Sequence, residues 1–191
     1  MLHDLIVQNR SYRRFDEQQR LSREDLLALI DHARLASSAM NRQPLRYRLV
    51  YAQKECDLVF PHTRWAGYLK YWAGPQPGER PAAYLIMCLP QDAGQMQFVD
   101  TGIAAQSILM AATERGWGGC MLGSVNKDEV HRIFHLPEDL GIVLVIALGL
   151  PAEQVVIDPV GDDGSIEYWR DDKDVHHVPK LGLEDLLIPE S

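Results

Sequence analysis

The chain has 191 residues, of which 46% are hydrophobic and 24% are charged, as in an average globular protein. We therefore expect a single domain over residues 1–191. Its 19 basic and 27 acidic residues give a net charge of −8, which argues against a protein that binds nucleic acid or anionic membranes generally. Residues 1–50 differ from the rest, because they carry nine arginines against six acids.

The longest apolar runs, 82–89 and 142–148, are far shorter than the roughly 20 residues that span a membrane. We predict that both are buried strands. No apolar signal segment follows Met1, so a cytoplasmic location is expected. The three cysteines are odd in number and form no C-x-x-C pair, which predicts reduced thiols, with Cys88 and Cys120 in the core.

Caps and periodicity predict the elements of the first half of the chain. Ser22 is expected to cap a helix that runs to about Ala36, and alternating apolar residues over 45–51 indicate a strand. The long connection 61–81 contains aromatic residues at near-helical spacing, which predicts a short helix within it. The buried strand over 82–89 follows.

The second half alternates helices with strands. Asp100 or Thr101 is predicted to cap a helix that reaches Arg115 and is stopped by Gly116. Asn126 is predicted to cap a helix to about Phe134, ahead of the strand over 142–148. A hairpin of 155–157 with 166–169 and an extended tail complete the chain. Strands and helices without strict repetition favour an α+β or mixed α/β fold.

The predicted helix from Asp100 or Thr101 to Arg115 has one face of small side chains. Small side chains let another backbone approach closely, so this helix is expected in the core or at a subunit interface. The face consists of Gly102, Ala104, Ala105, Ile108, Ala111 and Ala112.

Several common catalytic signatures are absent from the sequence. The run Gly118–Gly123 resembles half of a phosphate-binding loop, but Ser124 stands where the lysine is required, and its glycines do not complete a dinucleotide-binding pattern. His131 and His135 lie one helical turn apart without a third ligand, which favours a solvated or core pair over a metal site. We expect no metal and no dedicated catalytic acid or nucleophile.

Two polar clusters lie in the basic first quarter. Arg10, Ser11, Arg13 and Arg14 form one run, and its guanidinium and hydroxyl groups can hold a phosphate or an anionic ring edge. The alternative is a solvated face. The second cluster, within 37–43, follows a helix end and has side chains that bond amide and hydroxyl groups, although it could also be a plain polar loop.

Together these clusters resemble the two N-terminal signatures of the FMN-dependent nitroreductase family. The matching segments are Asn9–Phe15 and Ala36–Pro44, and both their order and their spacing agree. The segments 100–123 and 177–180 are similar to later parts of the family. The resemblance implies an α+β fold with a central, mostly antiparallel β-sheet flanked by helices, and an intertwined homodimer with FMN at the subunit interface.

The resemblance also implies roles for individual residues. Arg10 and Ser11 would hold the FMN phosphate, which Lys180 would also reach, and Arg13 would lie near the pyrimidine edge of the flavin. The residues expected from the partner chain are Ser37, Ser38, Ala39 and Asn41. The residues expected to line the ring near N5, one of them through a backbone N–H, are Met121, Leu122 and Gly123.

Some residues depart from the family pattern. Asn9 stands where many members have arginine, Ala39 replaces a frequent serine, and Leu45 replaces the usual tryptophan. The segment 60–80 falls where members vary their substrate lids, and its Trp65 and Tyr68 are candidates for contact with a planar substrate. These aromatic side chains could instead pack on the core.

The implied function is an FMN-dependent oxidoreductase in which NADH or NADPH gives a hydride to flavin N5 and leaves before the acceptor binds. Nitroaromatic compounds, quinones and similar small molecules are the expected acceptors. Two alternatives remain at this point. One is a family member with other flavin chemistry, such as dehalogenation or flavin fragmentation, and the other is a non-catalytic flavin-binding protein.

Overall fold

The structure is a computed structural model and describes residues 1–189. Its α-helices are α1 (Leu2–Gln8), α2 (Arg23–Leu35), α3 (Gln53–Val59), α4 (Gln95–Glu114) and α5 (Lys127–Ile133). Its strands are β1 (Phe15–Asp16), β2 (Arg46–Val50), β3 (Ala83–Pro90), β4 (Gly118–Leu122), β5 (Leu140–Pro151), β6 (Val155–Pro159), β7 (Trp169–Arg170) and β8 (His176–Lys180). Short 3₁₀ helices cover Ala39–Asn41, Phe60–His62 and Glu184–Leu186.

The main sheet is built around the long strand β5. β5 pairs with β3, which pairs in turn with β2, and β5 also pairs with β4 and, near its C-terminal end, with β1. All four pairings are antiparallel. A smaller sheet has the order β6-β8-β7, with β6 and β8 parallel.

Helices cover both faces of the main sheet. Alternate residues of β3 point to opposite sides, so Leu85 and Met87 pack with α2 and α4, whereas Tyr84 and Ile86 pack with residues of α3 and α5. Burial on both faces explains why β3 reads as a continuous apolar run. The predicted α+β class, with a mostly antiparallel sheet between helices, is confirmed.

Several local predictions are confirmed as well. Ser22 caps α2 by accepting a hydrogen bond from the Asp25 N–H, and Asn126 caps α5 through the Glu129 N–H. Gly116, with φ +78, follows the end of α4, a conformation that glycine adopts without strain. The three cysteines are free and buried, Cys56 together with the two expected in the core.

The predicted start of α4 was wrong. The helix begins at Gln95, because the Gln97 side chain accepts a hydrogen bond from the Gly94 N–H and so caps the helix one and a half turns earlier. Asp100 and Thr101 are buried within the helix. Most of its small-residue face is core, and Gly102 alone of that set is exposed.

The predicted aromatic helix within 61–81 does not form beyond a 3₁₀ turn at Phe60–His62. Residues 66–72 make consecutive turns, and Ala66 has φ +44, which breaks a right-handed helix. The aromatic side chains pack against partners elsewhere in the fold. Their near-helical spacing therefore does not indicate a helix.

The predicted hairpin between 155–157 and 166–169 was also wrong. β6 pairs in parallel with β8, and β7 pairs with the other edge of β8. The intervening turn forms at Gly164, but the partner strand of β6 comes from the extended tail, in which His176 is fully buried. The pairing of β6 with β8 joins segments that are not adjacent along the chain, so the spacing of residues in the sequence does not reveal it.

Two findings concern membrane-spanning helices and metal sites. No helix within residues 1–189 is both long and apolar enough to cross a membrane. No group of three or more His, Cys, Asp or Glu side chains in the same range is arranged to hold a metal ion.

Candidate functional site

A cleft of about 540 Å³ opens between the end of β4, the connection 63–73 and Tyr168. Its volume lies in the range of small-molecule and cofactor sites. The side chains and backbone that line it include Arg13, Arg64, Trp65, Trp72, Met121, Leu122, Gly123 and Tyr168.

The first basic cluster reaches this cleft because it runs along β4. The Tyr12 N–H donates to the Gly119 carbonyl at 3.0 Å, and Ser11 forms a parallel β-bridge with the same glycine. A Cβ on Gly119 would lie 2.6 Å from the Ala147 carbonyl oxygen, and one on Gly118 would lie 2.5 Å from the Tyr12 ring. Only glycine permits this close approach, which brings Arg13 beside Met121–Gly123.

The Arg13 guanidinium is held by three groups. Its Nη1 donates to the Ser11 carbonyl and to His176 Nε2, each at 3.1 Å, and its plane lies 4.6 Å from the centre of the Tyr168 ring. Because arginine can only donate, Nε2 must be the unprotonated nitrogen of His176. Burial lowers the pKa of His176 to about 4, with the Arg13 and Arg170 charges adding to this effect, so the imidazole is neutral at physiological pH.

A buried carboxylate fixes the backbone of the same cluster. Glu153, whose side chain is 1% exposed, accepts hydrogen bonds from the backbone N–H groups of Arg13 and Arg14. It also pairs with the Arg170 guanidinium at 2.7 Å. These three interactions stabilise the Glu153 carboxylate, a charge that would be costly to bury without partners. Residues 13–14 are therefore tied to the strand β7.

The aromatic residues of the connection form the opposite wall. Trp65 Nε1 donates to Thr63 Oγ1 at 3.0 Å, which fixes the orientation of the indole ring. Trp72 lies under the Arg170 guanidinium, 4.4 Å from its ring centre. Trp65 thus lines the cleft as expected, whereas Tyr68 lies outside the lining and packs 4.9 Å from the Tyr168 ring.

The second polar cluster lines a different cavity of about 240 Å³ that contains Ser37 and Ser38 but not Arg13. Ser38 Oγ donates to the buried Asp100 carboxylate at 2.8 Å, and the Ala39 N–H donates to the other oxygen. Asn41 is exposed with φ +54. A single chain therefore leaves the 37–41 group apart from the cleft.

The three predicted phosphate contacts, Arg10, Ser11 and Lys180, also lie outside the cleft lining. Arg10 Nη2 donates to the Ile6 carbonyl at 2.7 Å, while its buried Nε has no partner among the described residues. Lys180 is exposed at the end of β8. Ser11 is also exposed, next to Gly119.

The residues of this site that sequence reasoning did not single out include Arg64, Trp72, Glu153, Tyr168 and His176. Glu153 and His176 act on Arg13 from about 140 and 163 positions away along the chain, so no local pattern reports them. Tyr168 and Trp72 lie in aromatic-rich segments, which was a usable signal.

Comparison with known proteins identifies the family of the chain. The model of the nitroreductase family matches residues 6–150. The chain belongs to the nitroreductase family.

Relatives of known structure share the fold along most of their length. A nitroreductase family protein from Clostridium novyi NT is 20% identical, with a TM-score of 0.64 over 94% of each chain. A nitroreductase-type protein from Exiguobacterium sibiricum in complex with FMN is 15% identical, with a TM-score of 0.66 over 80% of this chain and 89% of that one. The nitroreductase-like fold implied by the two N-terminal signatures is thereby confirmed.

One curated relative has a more specific name. The iodotyrosine deiodinase of Thermotoga neapolitana is 25% identical over 168 residues, which cover 79% of this chain and 89% of the relative. This nitroreductase family protein is thus similar both to proteins named nitroreductases and to a deiodinase.

Proposed function

We propose that this protein is an FMN-dependent oxidoreductase that uses NADH or NADPH to reduce a small-molecule acceptor, such as a nitroaromatic compound or a quinone. The observation that carries the proposal is that Arg13 and Met121–Gly123 line one cleft. These are the segments that the family resemblance assigns to the flavin ring. Membership of the nitroreductase family and the FMN complex of the Exiguobacterium relative support the choice of cofactor.

The residues at the cleft fit a flavin. Arg13 supplies a fixed positive charge, and reduced flavin is anionic at its N1/O2 edge. A Cβ on Gly123 would meet nothing within 4 Å, so a planar ring has room to approach the backbone there. When bound, FMN would carry a hydride from the donor to the acceptor, so that NAD(P)H, a proton and a quinone give NAD(P)⁺ and a hydroquinone.

The chain's own residues then bind and orient rather than react. Arg13, held by His176 and Tyr168, would stabilise the reduced ring, and the backbone of Met121–Gly123 would set the position of N5. Arg10, Ser11 and Lys180 would hold the phosphate. Within residues 1–189 the buried Nε of Arg10 has no partner, so its hydrogen-bonding capacity is not yet used.

We further propose a homodimer, in which Ser37, Ser38, Ala39 and Asn41 of a second chain complete the flavin site. Their separation from the cleft within one chain supports this arrangement. Apolar side chains exposed on the helices α1 and α4 support it as well, because such a surface is typical of an interface. These side chains are Leu2, Ile6, Val7, Met96, Phe98, Val99 and Ile103.

Anaerobic reduction tests the proposal. The purified protein, supplemented with FMN, should be yellow, should lose its colour on addition of NADH or NADPH, and should recover it when a quinone or nitroaromatic compound is added. A protein that neither retains nor takes up FMN would contradict the whole proposal. Bound FMN that NADH and NADPH cannot reduce would instead favour a non-catalytic flavin-binding protein.

Reductive dehalogenation is the second candidate, and the similarity to the Thermotoga deiodinase favours it. In that reaction, an aryl iodide and NAD(P)H would give the arene, iodide and NAD(P)⁺. Release of iodide from 3-iodotyrosine by the reduced protein, at a rate above that of quinone reduction, would make dehalogenation the main activity. Absence of iodide release would remove this candidate.

A further inference from the structure

A second hollow of about 490 Å³ adjoins the cleft and shares Thr63, Arg64, Gly123 and Ser124 with it. No aspartate or glutamate of residues 1–189 lines either space, although the protein has a net charge of −8. The charged side chains of the two linings are Arg13 and Arg64. The combined space therefore has a positive local field in an acidic protein, which favours anionic ligands.

Backbone hydrogen bonds place Arg64 next to the end of β4. The Arg64 N–H donates to the Ser124 carbonyl at 2.9 Å, and the Asn126 N–H donates to the His62 carbonyl at 2.8 Å. An antiparallel bridge joins Thr63 to Val125 between them. Arg64 is thereby attached one residue beyond Gly123, the position assigned to the reactive side of the flavin.

The side chain of Arg64 is available to a ligand. It is exposed, and within residues 1–189 no carboxylate lies within ion-pair distance and no side-chain hydrogen bond engages its guanidinium. Arg13 differs, because Ser11, His176 and Tyr168 already hold it. Of the two guanidinium groups in the cleft, Arg64 is thus the one without a partner in the described part of the chain.

Trp65 supplies a flat apolar surface directly after this charge. Its Nε1 donates to Thr63 Oγ1, whose own hydroxyl donates to the Phe60 carbonyl at 2.7 Å, and a Cβ on Gly74 would lie 3.0 Å from its ring, which leaves no room for a side chain there. The indole is therefore fixed before any ligand arrives. A fixed aromatic plane beside an unpartnered guanidinium is complementary to a flat ring that carries a carboxylate.

We propose that the physiological acceptor is a planar aromatic anion, whose carboxylate pairs with Arg64 and whose ring packs on Trp65 beside the flavin. This inference rests on the proposed function. The same guanidinium could in principle serve an anionic group of NADPH, so the two half-reactions must be measured separately. An acceptor anion affects only the oxidative half-reaction.

A direct binding measurement needs no turnover. Benzoate and benzyl alcohol, titrated calorimetrically into the protein as purified, form a pair that differs mainly in charge. We expect benzoate to bind more tightly, Arg64→Gln to weaken it about 10-fold or more, and Arg64→Lys to retain part of the affinity. Arg23→Gln, which removes an exposed arginine at the start of α2, should leave the affinity for both ligands unchanged.

Rapid mixing of the reduced protein with 4-nitrobenzoate or 4-nitrobenzyl alcohol gives the kinetic counterpart. Arg64→Gln should slow the oxidation by nitrobenzoate about 10-fold and leave the neutral alcohol within about two-fold. The proposal would be overturned if Arg64→Gln slowed oxidation by both acceptors equally, or if the wild type reacted no faster with the anion. An effect of the substitution on reduction by NADPH alone would overturn it as well. Failure of NAD(P)H to reduce the flavin would contradict the proposed function, while the benzoate titration would still decide the role of Arg64.

Discussion

Arg13 depends on a histidine that lies 163 positions further along the chain. His176 is fully buried and accepts a hydrogen bond from the guanidinium, so a permanently charged group and a neutral base share one contact. The neutral form is maintained because burial and the neighbouring Arg13 and Arg170 charges lower the pKa of His176 to about 4. The arrangement orients Arg13 and leaves its charge in place. A carboxylate at the position of His176 would neutralise that charge.

The first prediction concerns the charge of Arg13. Arg13→Ala should weaken FMN binding about 10-fold or more and should lower the flavin midpoint potential by tens of millivolts, because a cation stabilises the anionic reduced ring. Equilibrium dialysis and a spectroelectrochemical titration measure the two quantities. Arg23→Ala is the control for removing one surface charge. A variant with unchanged affinity and potential would remove Arg13 from the proposed site.

The second prediction concerns acid stability. The pKa of His176 is about 4 in the folded protein and 6.5 in the unfolded chain, so acid protonates the unfolded chain first and destabilises the fold as the pH falls below 6.5. His176→Gln keeps a hydrogen-bond acceptor but cannot titrate. Between pH 8 and pH 5, the wild type should therefore lose about 2 kcal/mol more unfolding free energy than the variant. Urea unfolding at the two pH values measures the difference, and equal losses would contradict the neutral buried state.

At the scale of elements, β4 is the strand that assembles the cleft. Its first two residues are glycines, and they let the Arg10–Arg14 segment and β5 approach the same backbone from two sides. Its last residues end at the cleft, next to the 62–64 segment. The contacts that bring two distant parts of the chain to the proposed flavin ring thus meet on one five-residue strand.

The third prediction tests this close approach. Gly119→Ala would place a methyl group 2.6 Å from the Ala147 carbonyl oxygen, and since that atom belongs to the paired backbone of β5, the strands must separate. We expect a loss of about 2 kcal/mol of unfolding free energy, measured by urea unfolding. Gly67→Ala, where a Cβ meets nothing within 4 Å, should stay within about 0.5 kcal/mol. Similar stabilities of the two variants would contradict the packing argument.

At the scale of the molecule, one chain places four of the eleven proposed flavin contacts, Arg13 and Met121–Gly123, in its cleft and keeps the 37–41 cluster at a separate cavity. The apolar side chains that remain exposed on α4 are spaced so that Met96, Val99 and Ile103 share one face. A second copy of the chain would cover that face and supply the missing cluster.

The fourth prediction separates dimer formation from folding. Val99→Glu places a charge on the exposed face of α4, where the side chain is 47% exposed, and should produce a folded monomer that binds FMN at least 10-fold more weakly. Sedimentation measures the mass, and circular dichroism measures the folded state. Leu58→Glu, at a side chain 50% exposed on α3, is the matched control and should stay dimeric. A Val99→Glu protein that remains a dimer would contradict the proposed interface.

The elements that the sequence predicted well are those whose signals are local. The Ser22 and Asn126 caps, the glycine after α4 and the two buried strands depend on neighbours within a few residues, and the structure has all of them. One local prediction was wrong, because the Gly94–Gln97 cap starts α4 before the expected Asp100 or Thr101. The other wrong predictions involve the aromatic connection and the tail. Their side chains contact partners about 100 positions away, as the Tyr68–Tyr168 pair does.

The sequence by itself determined the family and the basic cluster around Arg13, because both consist of residues in fixed order along the chain. The tertiary structure decided which arginine of the first 50 residues lines the cleft: Arg13 is brought beside the end of β4, while the Arg10 side chain bonds the Ile6 carbonyl of α1. It also decided that Glu153, Tyr168 and His176 support Arg13 and that, within residues 1–189, Arg64 has no such support. The reason is physical: hydrogen bonds, ring contacts and burial act over a few ångströms of space, whatever the distance along the chain.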